Sequence, residues 1–159
     1  MTRRNSIVLL VLSTIALLAG TASWAQTEAP AQYCKRVGTD DTLRATPPSP
    51  APEVRRLFRL DIQDEAVAQT SFFRCMAGSV MVCTKGANLP CGKANASRSL
   101  PAADQYCGAS PDSDLVPMSV TGHDTIYQWR CVGTSAVAGG EVERTDERGF
   151  FIRFWRRVP

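Results

Sequence analysis

Histidine is almost absent from this chain: His123 is the single imidazole among 159 residues, so any mechanism that needs one has one candidate. There is no G-x-S-x-G elbow, which removes the usual mark of an exposed nucleophilic serine. No two cysteines stand as C-x-x-C. Their closest spacings are Cys75-x7-Cys83-x7-Cys91, with Cys34, Cys107 and Cys131 far from these and from one another. That pattern speaks against a zinc site and against thiol exchange, which wants a resolving cysteine nearby. Asp112-Ser113-Asp114 lacks the glycine and distal glutamate of a calcium loop. No metal and no cofactor is expected. After Leu18 there is no second long apolar run, so no later segment approaches the roughly 20 residues that cross a bilayer.

What is present begins with a three-part leader. Basic Arg3 and Arg4 precede the apolar run Ile7–Leu18, and small residues surround Ser23-Trp24-Ala25. This reads as a secretory signal over residues 1–25, cleaved after Ala25. Thr21 follows Leu18-Ala19-Gly20 where a lipoprotein would need cysteine, so no lipid anchor is expected. The mature chain would keep 159 less 25, or 134, residues, which suits one domain. Without Arg3 and Arg4 the 18 basic residues become 16 against 15 acidic ones, a net charge of +1. Nucleic acid and anionic lipid are not the expected partners, because their attraction needs a clustered cationic excess. All six cysteines follow the leader and would meet an oxidising compartment, so three structural disulfides are expected. Six cysteines allow 15 pairings, and the sequence does not choose among them.

Along the mature chain, residues 26–32 are polar with Ala and Pro and read as a flexible lead-in, leaving 33–159 as the ordered domain. Asp40-Asp41-Thr42 has turn or capping chemistry. Ser49 as a cap, Pro50 in the first turn and Val54, Leu57 and Phe58 at helical spacing predict a helix over 50–58. Its Arg55, Arg56 and Arg59 are read as the solvated face. Ser71–Cys75 and Val80–Cys83 flank a small turn and predict a hairpin; a three-residue loop would put Phe73, Cys75, Met81 and Cys83 on one buried face. Residues 85–97 read as a loop pinned by Cys91. Ser99 and Pro101 open a second short helix that ends near Cys107. Thr125–Cys131 alternates, with Tyr127, Trp129 and Cys131 to one side, and strands Glu141–Thr145 and Gly149–Arg156 follow turns at Gly139-Gly140 and Asp146–Gly149. The expected fold is α+β, mainly antiparallel β, with about five strands and two short helices.

Candidate chemistry is thin. His123 with Asp124 beside it is the one place for acid–base work, yet consecutive residues of an extended segment point apart. Asp40 and Asp41, and Asp112 with Asp114, could be imagined as paired carboxylates, but capping and turn roles explain them at less cost. The C-terminus interleaves Arg148, Arg153, Arg156 and Arg157 with Phe150, Phe151, Phe154 and Trp155. Arg153, Trp155, Arg156 and Arg157 are a possible binding patch for anionic polymers, through stacking and bidentate Arg contacts. A strand with an aromatic inner face would carry the same pattern.

Tyr33-Cys34-x-x-Val37-Gly-Thr-Asp-Asp-Thr42, Gly86–Asn95 and Gly122-His-Asp-Thr-Ile-Tyr127-x-Trp129-x-Cys131 resemble a family of small exported, cysteine-containing bacterial proteins with no assigned function. The likeness covers most of the mature chain. It implies a periplasmic setting and carries over no activity, ligand or catalytic residue. A fainter resemblance is to the small periplasmic inhibitors of C-type lysozyme, also disulfide-bearing β domains, with no motif residues matching one for one. The expected function is non-catalytic binding or inhibition of a periplasmic protein or cell-envelope polymer. A small hydrolase built on His123 and a structural subunit of an envelope complex are the alternatives.

Three structural disulfides have a direct consequence. Thiol titration of the denatured, unreduced protein should find no free cysteine, and reduction should lower the thermal midpoint sharply, because each bridge stabilises by roughly 2–4 kcal/mol.

Overall fold

A computed structural model describes residues 28–86 and 88–159. The expected signal, residues 1–25, lies outside the described residues. The chain is a small α+β domain of mostly antiparallel strands. In order it runs α1 (Pro30–Val37), β1 (Asp40–Ala45), α2 (Ala51–Phe58), α3 (Asp64–Thr70), β2 (Ser71–Met76), β3 (Ser79–Thr84), α4 (Pro101–Ala109), α5 (Met118–Thr121), β4 (Tyr127–Val132), β5 (Ser135–Glu141), a 3₁₀ turn (Ile152–Phe154) and β6 (Arg156–Arg157). One sheet has the order β1-β2-β3-β6 and the other is the pair β4-β5.

The β2–β3 hairpin is the wall on which everything packs. Its loop has two residues, Ala77 and Gly78, both at positive φ (48° and 75°), as the tight turns matching strand twist require. The register is Phe73 to Val82 and Cys75 to Val80. One face therefore carries Phe73, Cys75, Val80 and Val82, and the other Phe72, Arg74, Met81 and Cys83. This corrects the expected face, which assumed a loop one residue longer; one residue exchanges the two faces of a strand. Both faces are covered. The first meets Cys34 of α1, Val54 of α2 and Val67 of α3. The second meets an aromatic cluster of Tyr127, Trp129, Phe150, Phe151, Phe154 and Trp155, together with α4.

Several local expectations change. Helix α1 starts at Pro30, inside the segment read as a lead-in, since proline suits the first helical turn and buries here. Asp40–Ala45 is a strand paired with β2 rather than a turn. Helix α2 has Pro50, not Ser49, at its cap, and no side chain caps it. Gly139 and Gly140 lie within β5, where the expected turn was placed, at an irregularity in the register with β4; a Cβ on Gly139 would stand 3.1 Å from the Gln128 carbonyl oxygen, which accounts for that glycine. The expected strand Glu141–Thr145 does not form, Glu141 being the end of β5 and residues 142–145 lying in no strand, and the last predicted strand is broken by the 3₁₀ turn, leaving β6 two residues long. Tyr127, Trp129 and Cys131 do share the buried face of β4.

The disulfides are Cys34–Cys75, Cys83–Cys91 and Cys107–Cys131. They join α1 to β2, β3 to the loop after it, and α4 to β4. None crosses the hairpin wall. Arg74, fully buried, instead fastens the C-terminal segment to the sheet: its guanidinium donates to Asp146 and lies 4.1 Å from the Phe150 ring centroid and 4.7 Å from that of Trp155. Asp146 also accepts from the backbone N–H groups of Arg148 (2.9 Å) and Phe150 (3.0 Å), closing the turn that Gly149 completes at φ 83°. Removing one partner of a buried ion pair strands the other. Asp146→Asn should therefore destabilise the oxidised protein by about 3–5 kcal/mol in urea denaturation.

Candidate functional site

Of the carboxylates weighed as catalytic, Asp40, Asp41 and Asp112 are held in structural bonds. Tyr33 Oη–H donates to Asp40 Oδ2 at 2.6 Å, and the Arg44 guanidinium donates to the same oxygen at 3.0 Å and stacks on the Tyr33 ring at 4.5 Å. The phenol and the Thr42 N–H hold the Asp40 carboxyl well below the usual carboxylate range, and the hydrogen bond that the phenol donates to this carboxylate pushes Tyr33 up. Asp41 takes Arg148 in a bidentate contact (3.1 and 2.9 Å) and Lys93 at 2.8 Å, which lowers it to about 2, Arg148 being the larger cause. These bonds tie β1 to the Asp146 turn and to the loop after Cys91. Asp104 accepts from the Ala136 N–H (2.9 Å) and Asp112 from the Gly133 N–H (2.7 Å), both structural roles. Asp114 is exposed.

His123 is exposed and lines a cleft of about 330 Å³. Gly122 at φ 82° ends α5 and turns the chain to present it; a Cβ there would stand 2.7 Å from Asp124 Oδ1. Among the described residues no carboxylate is hydrogen-bonded to His123, and Asp124 is held by its backbone, whose carbonyl accepts from the Asn95 N–H at 2.6 Å. The sequence neighbours His123 and Asp124 are thus placed in one segment without forming a pair.

The C-terminal residues do not form one patch. Trp155 is 4% exposed and packs edge-on to Phe150, so its ring is spent in the core. Arg157 donates to Ser79 Oγ, and Arg156 bonds the carbonyls of Arg153 and Trp155 and lies 5.7 Å over the Phe58 ring. Arg153 is different. It pairs with Glu143 at 2.8 Å, lies 4.4 Å over Phe154, keeps 57% of its side chain exposed, and lines two clefts at once.

One is the His123 cleft, floored by Tyr127 and Trp129, whose indole N–H donates to Thr125 Oγ1 at 3.0 Å, and lipped by Leu115, Met118 and Val142. The other, about 390 Å³, has Phe58, Leu60 and Phe154 within it and Ile62 and Leu89 at its lip. Among the described residues eight large apolar side chains are exposed, and five of them are these lip residues. Sequence reasoning missed all five. Ile62 and Val142 stand singly between polar residues (Asp61-Ile62-Gln63, Glu141-Val142-Glu143), while Leu89, Leu115 and Met118 sit beside proline or valine (Leu89-Pro90, Leu115-Val116-Pro117-Met118), and neither setting marks them as exposed. Comparison with protein-family models, curated proteins and solved structures finds no match to this chain. Among the described residues no group of His, Cys, Asp and Glu is placed to hold a metal, and no helix is long and apolar enough to cross a membrane.

The Asp40 and Asp41 networks make stability depend on pH. Both carboxyls titrate lower in the folded chain than the unfolded value near 3.9. Their contribution is therefore complete above that value and is lost as pH falls through about 2 for Asp41 and lower still for Asp40. Thermal melts should fall steeply below about pH 4, and Asp41→Asn should flatten that fall while lowering stability at neutral pH.

Proposed function

We propose that this chain is an exported, non-catalytic binding or inhibitor-type protein that engages a periplasmic protein or cell-envelope polymer through the surface on either side of Arg153. The observation that carries this reading is the gathering of five of the eight exposed large apolar side chains on two adjoining clefts. Scattered apolar residues are ordinary on a protein surface, but a concentration rimmed by polar groups marks a contact surface. An arginine lying on an aromatic ring at its centre has the composition of an interface anchor. Three disulfides fit export to an oxidising compartment. Asp40 and Asp41, two of the carboxylates a hydrolase of the expected kind would use, are taken up in structural bonds, and among the described residues no carboxylate is hydrogen-bonded to His123.

The same apolar surface would serve a permanent subunit of an envelope complex, and the two readings differ in the lifetime of the complex. A photo-crosslinking residue placed at Met118 or Leu89 in the exporting bacterium should yield a discrete adduct. The same residue at Leu43, exposed but outside both clefts, should yield none. A partner that survives stringent washing without crosslinking would make the chain a permanent subunit. Equal adducts at all three positions would refute the surface. Hydrolysis of cell-wall material that disappears in a folded His123→Ala variant would establish the enzyme instead.

A further inference from the structure

We infer that the partner segment bound at this surface is acidic and apolar: a stretch of peptide with a carboxylate between apolar side chains, the carboxylate taken by Arg153 and the apolar groups by the two clefts. The inference rests on the binding reading above and adds the chemistry of what is bound. Arg153 stands where the clefts meet, since it lines both. Its guanidinium has five N–H donors in a fork, of which the contact to Glu143 Oε1 at 2.8 Å uses one edge, so a second carboxylate can be bound without displacing the first. The Phe154 ring lies beneath it, its centroid 4.4 Å from the guanidinium carbon.

In the lining of the two clefts cations outnumber carboxylates, Arg153 and Lys85 against Glu143. Among the described lining residues of both clefts Glu143 is the one carboxylate, and Arg153 already neutralises it. Lys85 lines the Ile62–Leu89 cleft, and Arg156, outside its lining, has its guanidinium 5.7 Å from the centroid of the Phe58 ring that lines it. An apolar floor with a cationic rim attracts an anion and opposes a cation, and contact charges of this kind decide which partner binds more than how tightly. The apolar lips then exclude water from the Arg153 contact and strengthen it. A peptide suits this site better than an acyl chain, because the apolar surface is divided into two clefts with a charged group between them. An alternating side-chain pattern meets that division and a continuous hydrocarbon does not.

The test uses the full oxidised chain with labelled methyl groups and two matched sets of blocked octapeptides. One set carries Leu or Phe on both sides of two Glu residues, and the other has Lys in place of Glu; sodium laurate is the third probe. The Glu set should bind at least about tenfold more tightly than the Lys set, a difference of about 1.4 kcal/mol, and should move the methyl signals of Ile62, Leu89, Met118 and Val142. Arg153→Gln should bring the two sets to within about twofold. Should that variant lose its native spectrum, Lys85→Gln with Arg156→Gln should reduce the preference in the same direction. Equal affinity for the two sets, with shifts at the same lips, would overturn the acidic assignment and leave the binding surface standing. Binding of laurate alone would make the site one for lipid anions and overturn the peptide. No shift at either lip with any probe would overturn both readings.

Discussion

The buried contact between Arg74 and Asp146 is the constraint on which the C-terminal half depends. A fully buried guanidinium is tolerable only with an anion and with flat surfaces against its faces, and this one has Asp146, Phe150 and Trp155. The partners are 72 residues apart in sequence, so the pair fixes a long-range relation that no disulfide fixes. Asp146 in turn shapes the residues that follow it: it closes the turn to Phe150, Arg148 of that turn reaches Asp41 of β1, and the chain then runs through Phe151 and Phe154 into β6. The position of Arg153, between the two clefts, is a consequence of that path.

Around this contact the domain divides its work. The hairpin is covered on both faces, one by α1 to α3 and the other by the aromatic cluster, so two modest cores share a single wall. Each disulfide secures one side only. Cys34–Cys75 holds the helical side, while Cys83–Cys91 and Cys107–Cys131 hold the other. The clefts lie where the aromatic side meets solvent, and each draws on several segments: the α5 turn, β4 and the end of β5 for one, the end of α2 and the loop closed by Cys83–Cys91 for the other.

Much of the framework was legible in the sequence, and the reasons are local. The alternation of Tyr127, Trp129 and Cys131, the proline-opened α2 and the Asp146–Gly149 turn all follow from residue type at short range. What failed was long range. Asp40 and Asp41 read as turn residues because strand β1 exists only by pairing with β2 and by the bonds of Tyr33, Arg44, Lys93 and Arg148, distributed over more than a hundred positions. Arg74 read as the outward residue of a strand, since nothing near it announces Asp146. The C-terminal aromatics and arginines suggested one patch, but Trp155 turns inward to Arg74, while Arg153 and Arg157 line separate clefts. The apolar lip residues come from four separate stretches of the chain, and only the fold brings them together.

Native-state hydrogen exchange on the oxidised protein and on Asp146→Asn measures the central dependence most directly. If Arg74 and Asp146 hold the C-terminal half to the sheet, the amides of Phe150 to Trp155 and those of β2 and β3 lose protection together in the variant, by a common free energy of opening. Loss of protection confined to residues 146–149, with the hairpin and the Arg153 region unchanged, would contradict the account and reduce the pair to a local turn contact.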